Sequence, residues 1–208
     1  MSNKVDPRVK RTKKLFENAL LDLMTEKEFE KISVQEIAAK STLNRATFYL
    51  HYYDKYELLT DFLDNEIEDL KNSLKVCPME FQYQYDLPHP SLIRLFEQMM
   101  RKEKFYKIML AEKKIPYFID RVMDILEAYA KSGIAYLAND GVKFNTPIEI
   151  RIPYITNAYL GVMIWWLKSD MPYTPTYMAK QLTIISTVGS FEKNPFLQKE
   201  ANTSQTIS

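Results

Sequence analysis

An all-α architecture follows from three features of this 208-residue chain. It holds only 4 glycines, too few for the turns of a β-rich protein, while helix-favouring Leu, Lys, Glu, Met and Ala are frequent. Apolar residues recur at three- and four-residue intervals, the period of an amphipathic helix. Helix-start signals punctuate those stretches: Ser33 ahead of Glu36, Asp54 ahead of Glu57, and the run Thr146-Pro147-Ile148-Glu149. Hydrophobic content of 46%, with 13% aromatic, suffices for a buried core and excludes wholesale disorder.

The first helix is predicted from Pro7 or Arg8 to Thr25, with Phe16, Ala19, Leu20 and Leu23 on one apolar face. Its start is basic: Lys4, Arg8, Lys10, Arg11, Lys13 and Lys14 stand against Asp6 alone. Cations at a helix N-terminus oppose the macrodipole, so this end reads either as an arm for phosphates or as a solvated tail. The net charge of +1 over the whole chain hides this local field.

Residues 33–55 carry most of the functional information. Ser33 and Glu36 form a capping box, Ile37 and Ala38 supply an inward face, and Ser41-Thr42-Leu43 makes a tight turn before Asn44 caps a further helix over Arg45–Tyr52. Two short helices about a tight turn, behind a longer one, have the layout of a helix-turn-helix DNA reader. On the last of them Phe48 and Tyr52, four apart, point inward, which turns Ala46 and Leu50 outward, flanked by Thr47 and Tyr49. Ala46 allows close approach to a groove floor, Leu50 can pack on a thymine methyl, and Arg45 can bond guanine bidentately. Thr47, Tyr49 and His51 carry donors suited to phosphate oxygens. Lys55, in the first turn of a fourth helix begun by Asp54, reads as a phosphate clamp.

The run ISVQEIAAKSTLNRATFYLHYYDKYELL resembles the helix-turn-helix signature of TetR/AcrR-type bacterial regulators. The marks are Ile37-Ala38, the triplet Thr47-Phe48-Tyr49, His51 followed by an aromatic, and Lys55 before Leu58-Leu59. The similarity covers roughly residues 8–62. It implies an all-α homodimer with a three-helix head and a larger helical body, two heads sitting in successive major grooves of a palindromic operator on double-stranded DNA. It also places Gln35, Arg45, Thr47, Tyr49, His51 and Lys55 at DNA-contacting positions. One departure stands out: the family usually has glycine where this chain has Thr42, so either a positive φ there carries strain of about 1–3 kcal/mol or the turn adopts a geometry that avoids it.

The division expected is a DNA-binding domain over 1–56, an effector-binding and dimerisation domain over 57–190, and a flexible tail over 191–208. The fourth helix runs to about Leu74, and residues 76–90, with three prolines, read as a loop. Ser91 is expected to cap the next helix, followed by a shorter one near Phe105–Glu112 and a longer one over Pro116–Ala138. A helix from Thr146-Pro147 reaches about Lys168, with Pro153 imposing a kink or a later start. Its end, Tyr159 to Leu167, is apolar nearly all round and demands burial on more than one side. A last helix runs from Thr174-Pro175 to about Val188. This final pair is the expected dimer interface, through Ala158, Gly161, Val162, Trp165, Trp166 and Ile184, with one of the two tryptophans free to fill the core instead. The Trp165-Trp166…Met171-Pro172-Tyr173 pattern is similar, more loosely, to a subgroup of the same family that includes regulators of dihydroxyacetone-kinase operons.

The family resemblance further implies an effector cavity in the body, for which Phe62, Phe96, Met99, Met100, Tyr106, Met109, Met123, Tyr129 and Tyr159 are the candidate lining residues. Their composition favours a small apolar or aromatic effector. Enzymatic chemistry finds no support: His51, His89 and Cys77 are too few for an ordinary zinc site, and no Gly-rich phosphate loop, GxSxG or HExxH occurs. No metal or cofactor is expected. The lone cysteine, and the lack of a signal segment or an apolar run long enough to cross a bilayer, point to a cytoplasmic protein with no membrane partner. The competing reading is an adaptor of the same fold that works through a protein partner with little operator binding of its own.

Overall fold

The computed structural model describes residues 6–76 and 87–187, where the chain is helical without a strand. Lys4, Cys77, most of the 76–90 loop, Val188 and the 191–208 tail lie outside the described residues. Helix α1 (Pro7–Glu26) starts at Asp6, whose carboxylate accepts from Arg8 N at 2.8 Å. A 3-10 turn (Phe29–Lys31) leads to α2 (Val34–Lys40) and α3 (Arg45–Tyr49). Both bonds of the Ser33–Glu36 capping box form. The Lys27 ammonium, bonded to the same carboxylate, and then the Ser33 N–H and hydroxyl hold Glu36 down to about 2.

Helix α3 is shorter than the predicted Arg45–Tyr52. The helical turning nonetheless continues, since His51 N and Tyr52 N both donate to Phe48 O at 3.0 Å. The inward pair is the predicted one: Phe48 and Tyr52 are buried, at 5.2 and 6.5 Å from the Phe16 ring and 5.7 Å from each other. Aromatic pairs of this kind contribute about 0.5–1.5 kcal/mol each beyond simple burial. The Tyr52 hydroxyl donates to Asp61 at 2.9 Å, and burial with that carboxylate pushes its pKa up.

The turn between α2 and α3 is a Schellman arrangement, with Leu43 N donating to Ala38 O and Thr42 N to Ala39 O, each at 3.1 Å. Thr42 occupies the left-handed position of that motif, with φ 59°. The family-derived expectation of a strained threonine is therefore realised in the backbone.

Helix α4 (Lys55–Leu74) begins on Asp54, which accepts from Tyr56 N and Glu57 N at 2.9 Å, and packs against both α1 and the body. Two ties fix it there. Arg94 donates to the carbonyls of Ser73 (3.0 Å) and Lys75 (2.6 Å) at its end. Near its middle, buried Glu66 pairs with Lys102 at 2.7 Å, and Lys102 also reaches Asp69 at 2.8 Å. Burial raises the Glu66 carboxyl despite the lysine beside it.

The body adds α5 (Pro90–Arg101), α6 (Glu103–Tyr106), a π turn (Lys107–Glu112), α7 (Pro116–Asn139), α8 (Ile148–Lys168) and α9 (Pro175–Thr187). Helices α5 and α9 pack as one pair and α7 and α8 as another. Two start signals differ from expectation. His89, not Ser91, caps α5: its ring accepts from Ser91 N while Pro90 takes the first helical position, and His89 N donates to Thr183 Oγ1 on α9 at 3.0 Å. At α8 the cap is Pro147 without a side-chain bond, and Thr146 is instead held by Arg151 through its hydroxyl at 2.9 Å. Pro153 lies inside α8, and the helix continues through it from Ile148 to Lys168, so its true start is not delayed. Lys113 N donates to Ile108 O at 2.9 Å, closing the π turn, which sequence periodicity does not anticipate.

Replacing Thr42 by glycine relieves the left-handed strain but frees the unfolded chain. Relief of strain outweighs that gain in chain entropy, so Thr42→Gly is expected to raise unfolding free energy by about 1 kcal/mol. Urea titration checks this, and an equal or lower stability would contradict it.

Candidate nucleic-acid interface

Burial of Phe48 and Tyr52 turns the other side of α3 to solvent. Arg45, Ala46, Tyr49 and Leu50 are all exposed, Leu50 at 80%, while Thr47 and His51 are half-buried at its flanks and Gln35 is exposed on α2. Apart from Gln35 on α2, these predicted contact residues lie on α3 and the turn that follows it. Not all keep free donors. The Thr47 hydroxyl donates to Asn44 Oδ1 at 3.0 Å, inside the cap that starts α3. The Arg45 guanidinium donates to the Tyr49 hydroxyl at 3.1 Å and lies 5.4 Å from the centre of its ring. Tyr49 therefore steadies Arg45 along the helix surface, with the remaining guanidinium N–H groups open to an acceptor.

Lys55 does not fit its expected role as a phosphate clamp. Its ammonium donates to the carbonyls of Phe29 (2.9 Å), Glu30 (2.7 Å) and Ile32 (2.8 Å), and lies 4.8 Å from the centre of the Phe29 ring. An ammonium has three protons, so its donor capacity is spent on the 3-10 turn. The partners stand 23 to 26 residues away in sequence, beyond the reach of any local pattern.

The basic arm is also thinner than its composition suggests. Lys13 pairs with Asp61 at 2.9 Å beside the Tyr52 ring, and Lys14 pairs with Glu17 at 2.9 Å. Arg8, Lys10 and Arg11 remain exposed. Sequence reasoning overlooked Tyr53, which stands 85% exposed just past α3. The stripe 46, 49, 50, 53 could have found it.

The body carries two further surfaces of interest. On α8, Ala158, Gly161 and Trp165 face outward, with Val162 half-buried beside them, and Ile184 on α9 is half-buried. Trp165, Tyr173 and Tyr177 stack in succession at 6.3 and 4.8 Å along this face. Trp166 is the exception among the predicted interface residues. It is fully buried, 5.0 Å from Phe96, with its ring N–H donated to Tyr173 O at 3.0 Å. Adjacent helical residues point about 100° apart, so one tryptophan inside leaves the other out.

The predicted effector lining splits in the same way. Phe96, Met99, Tyr106 and Met109 have no solvent-accessible area and fill the core instead of lining space. Phe62 and exposed Met100 border an open cleft of about 700 Å³ between α1 and α5–α6. Tyr129 lines both a groove of about 800 Å³ between α4 and α7 and, with Tyr159, a chamber of about 80 Å³ among α5, α7, α8 and α9. Met123 is half-buried on α7 and borders none of these three. Among the described residues no cluster of His, Cys, Asp and Glu could hold a metal ion, and no helix is long and apolar enough to cross a membrane.

Lys55→Met keeps the apolar stem but orphans three carbonyls, and is expected to lower head stability by about 1–3 kcal/mol while leaving the salt dependence of DNA binding unchanged. Denaturation and salt titration check both halves. A salt slope reduced by about 1 at unchanged stability would return this lysine to the phosphates.

Known proteins share this fold. Residues 18–61 match the family described as bacterial regulatory proteins of the tetR family, and residues 86–187 match its transcriptional regulator C-terminal region. An uncharacterized HTH-type transcriptional regulator of Bacillus subtilis, YxbF, is 22% identical over 178 residues, covering 85% of this chain. The chain spans 45% of the length of that relative. Among solved structures, a TetR transcriptional regulator from Streptococcus agalactiae superposes with TM-score 0.59 at 20% identity, covering 87% of this chain and 96% of the other. The dihydroxyacetone kinase operon activator DhaS gives TM-score 0.57 at 18% identity, covering 84% and 93%. With the head and the body each matching its own part of one family, this chain belongs to the TetR family of DNA-binding transcriptional regulators.

Proposed function

We propose that this protein is a ligand-responsive repressor that binds a palindromic operator as a homodimer. The observation that carries the reading is the outward side of α3, where Arg45, Ala46, Tyr49 and Leu50 stand exposed over a buried Phe48–Tyr52 pair. Ala46 allows the helix close to the groove floor, Leu50 offers a methyl-sized apolar contact, and Arg45 can bond a guanine edge. His51 carries a ring N–H suited to a phosphate oxygen, exposed Gln35 is a further DNA contact, and Arg8, Lys10 and Arg11 add sequence-independent attraction.

Dimerisation is supported by the α8–α9 face. A contiguous apolar surface on a single chain usually marks an interface. Here Trp165, Tyr173 and Tyr177 supply aromatic area, and at Gly161 nothing lies within 4 Å of where a side chain would begin, so a partner helix can approach closely. A two-fold copy of α8 and α9 completes a four-helix bundle and spaces the heads for successive grooves. The working division is a head over 1–56 and an effector-binding, dimerising body over 57–190.

For the effector, the supporting features are the apolar floor of the α4–α7 groove (Ile67, Leu74, Ile125) and the small chamber behind Tyr129. A small apolar or aromatic compound suits the groove, while the chamber of about 80 Å³ has room for little more than a side group of it. Helix α4 belongs to head and body alike, so a ligand that moves α7 against α4 shifts the population toward head spacings that no longer fit the operator.

Selection of duplexes from random DNA tests head and dimer together. The expected product is a palindrome, with Arg45→Ala losing preference at one symmetric pair of positions at a cost of about 1–3 kcal/mol. Binding that is blind to sequence and vanishes with salt would instead favour an adaptor working through a protein partner.

A further inference from the structure

We infer that the Tyr53 hydroxyl is a phosphate contact of the DNA-binding head, standing where the Lys55 ammonium was expected to act. The inference rests on the DNA-binding reading above. Tyr53 continues the sequence spacing of the stripe Ala46–Tyr49–Leu50 and follows directly on Tyr52, where the helical turning after α3 ends. At 85% it is the most exposed of the large apolar side chains among the described residues, followed by Leu50 at 80%. A ring held in water buries almost no apolar area, so it adds little to the stability of the head itself.

Its base is nonetheless fixed. Tyr52 on one side is locked in the core through Asp61, and Asp54 on the other caps α4. The Tyr53 backbone N–H is held by the Glu57 carboxylate, while the Asp54 carboxylate faces the amides of Tyr56 and Glu57. Both acids beside the site are thereby turned to backbone donors. An aromatic ring has few rotatable bonds, so a hydroxyl on such a base reaches a fixed point at little entropic cost. With Lys55 occupied by three carbonyls, Tyr53 carries the most exposed hydroxyl at this corner of the head, ahead of Tyr56 at 56%.

The chemistry makes a separable prediction. A neutral hydroxyl bonded to a phosphate positions the duplex without reading a base, and it displaces no counterion. Using the full chain and an operator selected by the wild type, Tyr53→Phe is expected to bind about five- to tenfold more weakly on every sequence. The slope of affinity against salt, the base preferences and the melting temperature should all match wild type. Equal affinity for Tyr53→Phe and wild type overturns the inference while leaving the DNA reading intact. Should the wild type itself select no sequence, the DNA reading fails first and this inference with it.

Discussion

A helix of five residues cannot hold its own shape in water, since nucleation fixes more dihedrals than one turn repays in hydrogen bonds. Helix α3 is that short, and its direction is set by what its inner side grips. Phe48, locked against Phe16 and Tyr52, is the fixed point. Every statement about the outward residues depends on it, because the same rotation that buries Phe48 exposes Ala46, Tyr49 and Leu50. The Asn44 cap and the Schellman turn at Thr42 only decide where the helix begins.

Charge in the head is spent largely on construction. Lys13 binds Asp61, Lys27 binds Glu36, Lys40 binds Glu26, and Lys55 closes the 3-10 turn. What remains for a polyanion is a short cationic arm, exposed Lys31 and Arg45, with tyrosine hydroxyls and apolar area beside them. Such a surface relies less on counterion release, and more on fit, than a lysine-rich one. The head is also tied to the body by cations reaching across: Lys104 to Asp22, and Lys113 to Glu28 at 2.6 Å. Ion pairs of this kind near the surface are individually weak and easily exchanged.

Local rules made much of this legible. The Ser33–Glu36 capping box, the period of α1 and the Phe48–Tyr52 pair depend on residues three or four apart, and the structure follows them; the similar signal at Thr146 does not cap α8. The α5 cap was within reach too: proline favours the first helical position, which moves the cap from Ser91 to His89. Other features depend on partners remote in sequence. No pattern shows that Lys55 meets carbonyls at 29–32, that Lys13 meets Asp61, or that Trp166 and not Trp165 faces Phe96. The Met and aromatic stripes of the body shared the period of a cavity wall and of a packed core. Phe96, Met99, Tyr106 and Met109 proved to be core, the commoner outcome for such stripes.

The most direct test of the whole account is a charge placed at the centre of the outward side of α3. Leu50→Glu adds a carboxylate at a position already 80% exposed, so folding should be untouched and the melting curve should overlay that of wild type. Operator affinity should fall by at least about a hundredfold, because the charge meets the densest negative potential in the complex. A well-folded Leu50→Glu protein that still binds the operator as wild type does would contradict the account.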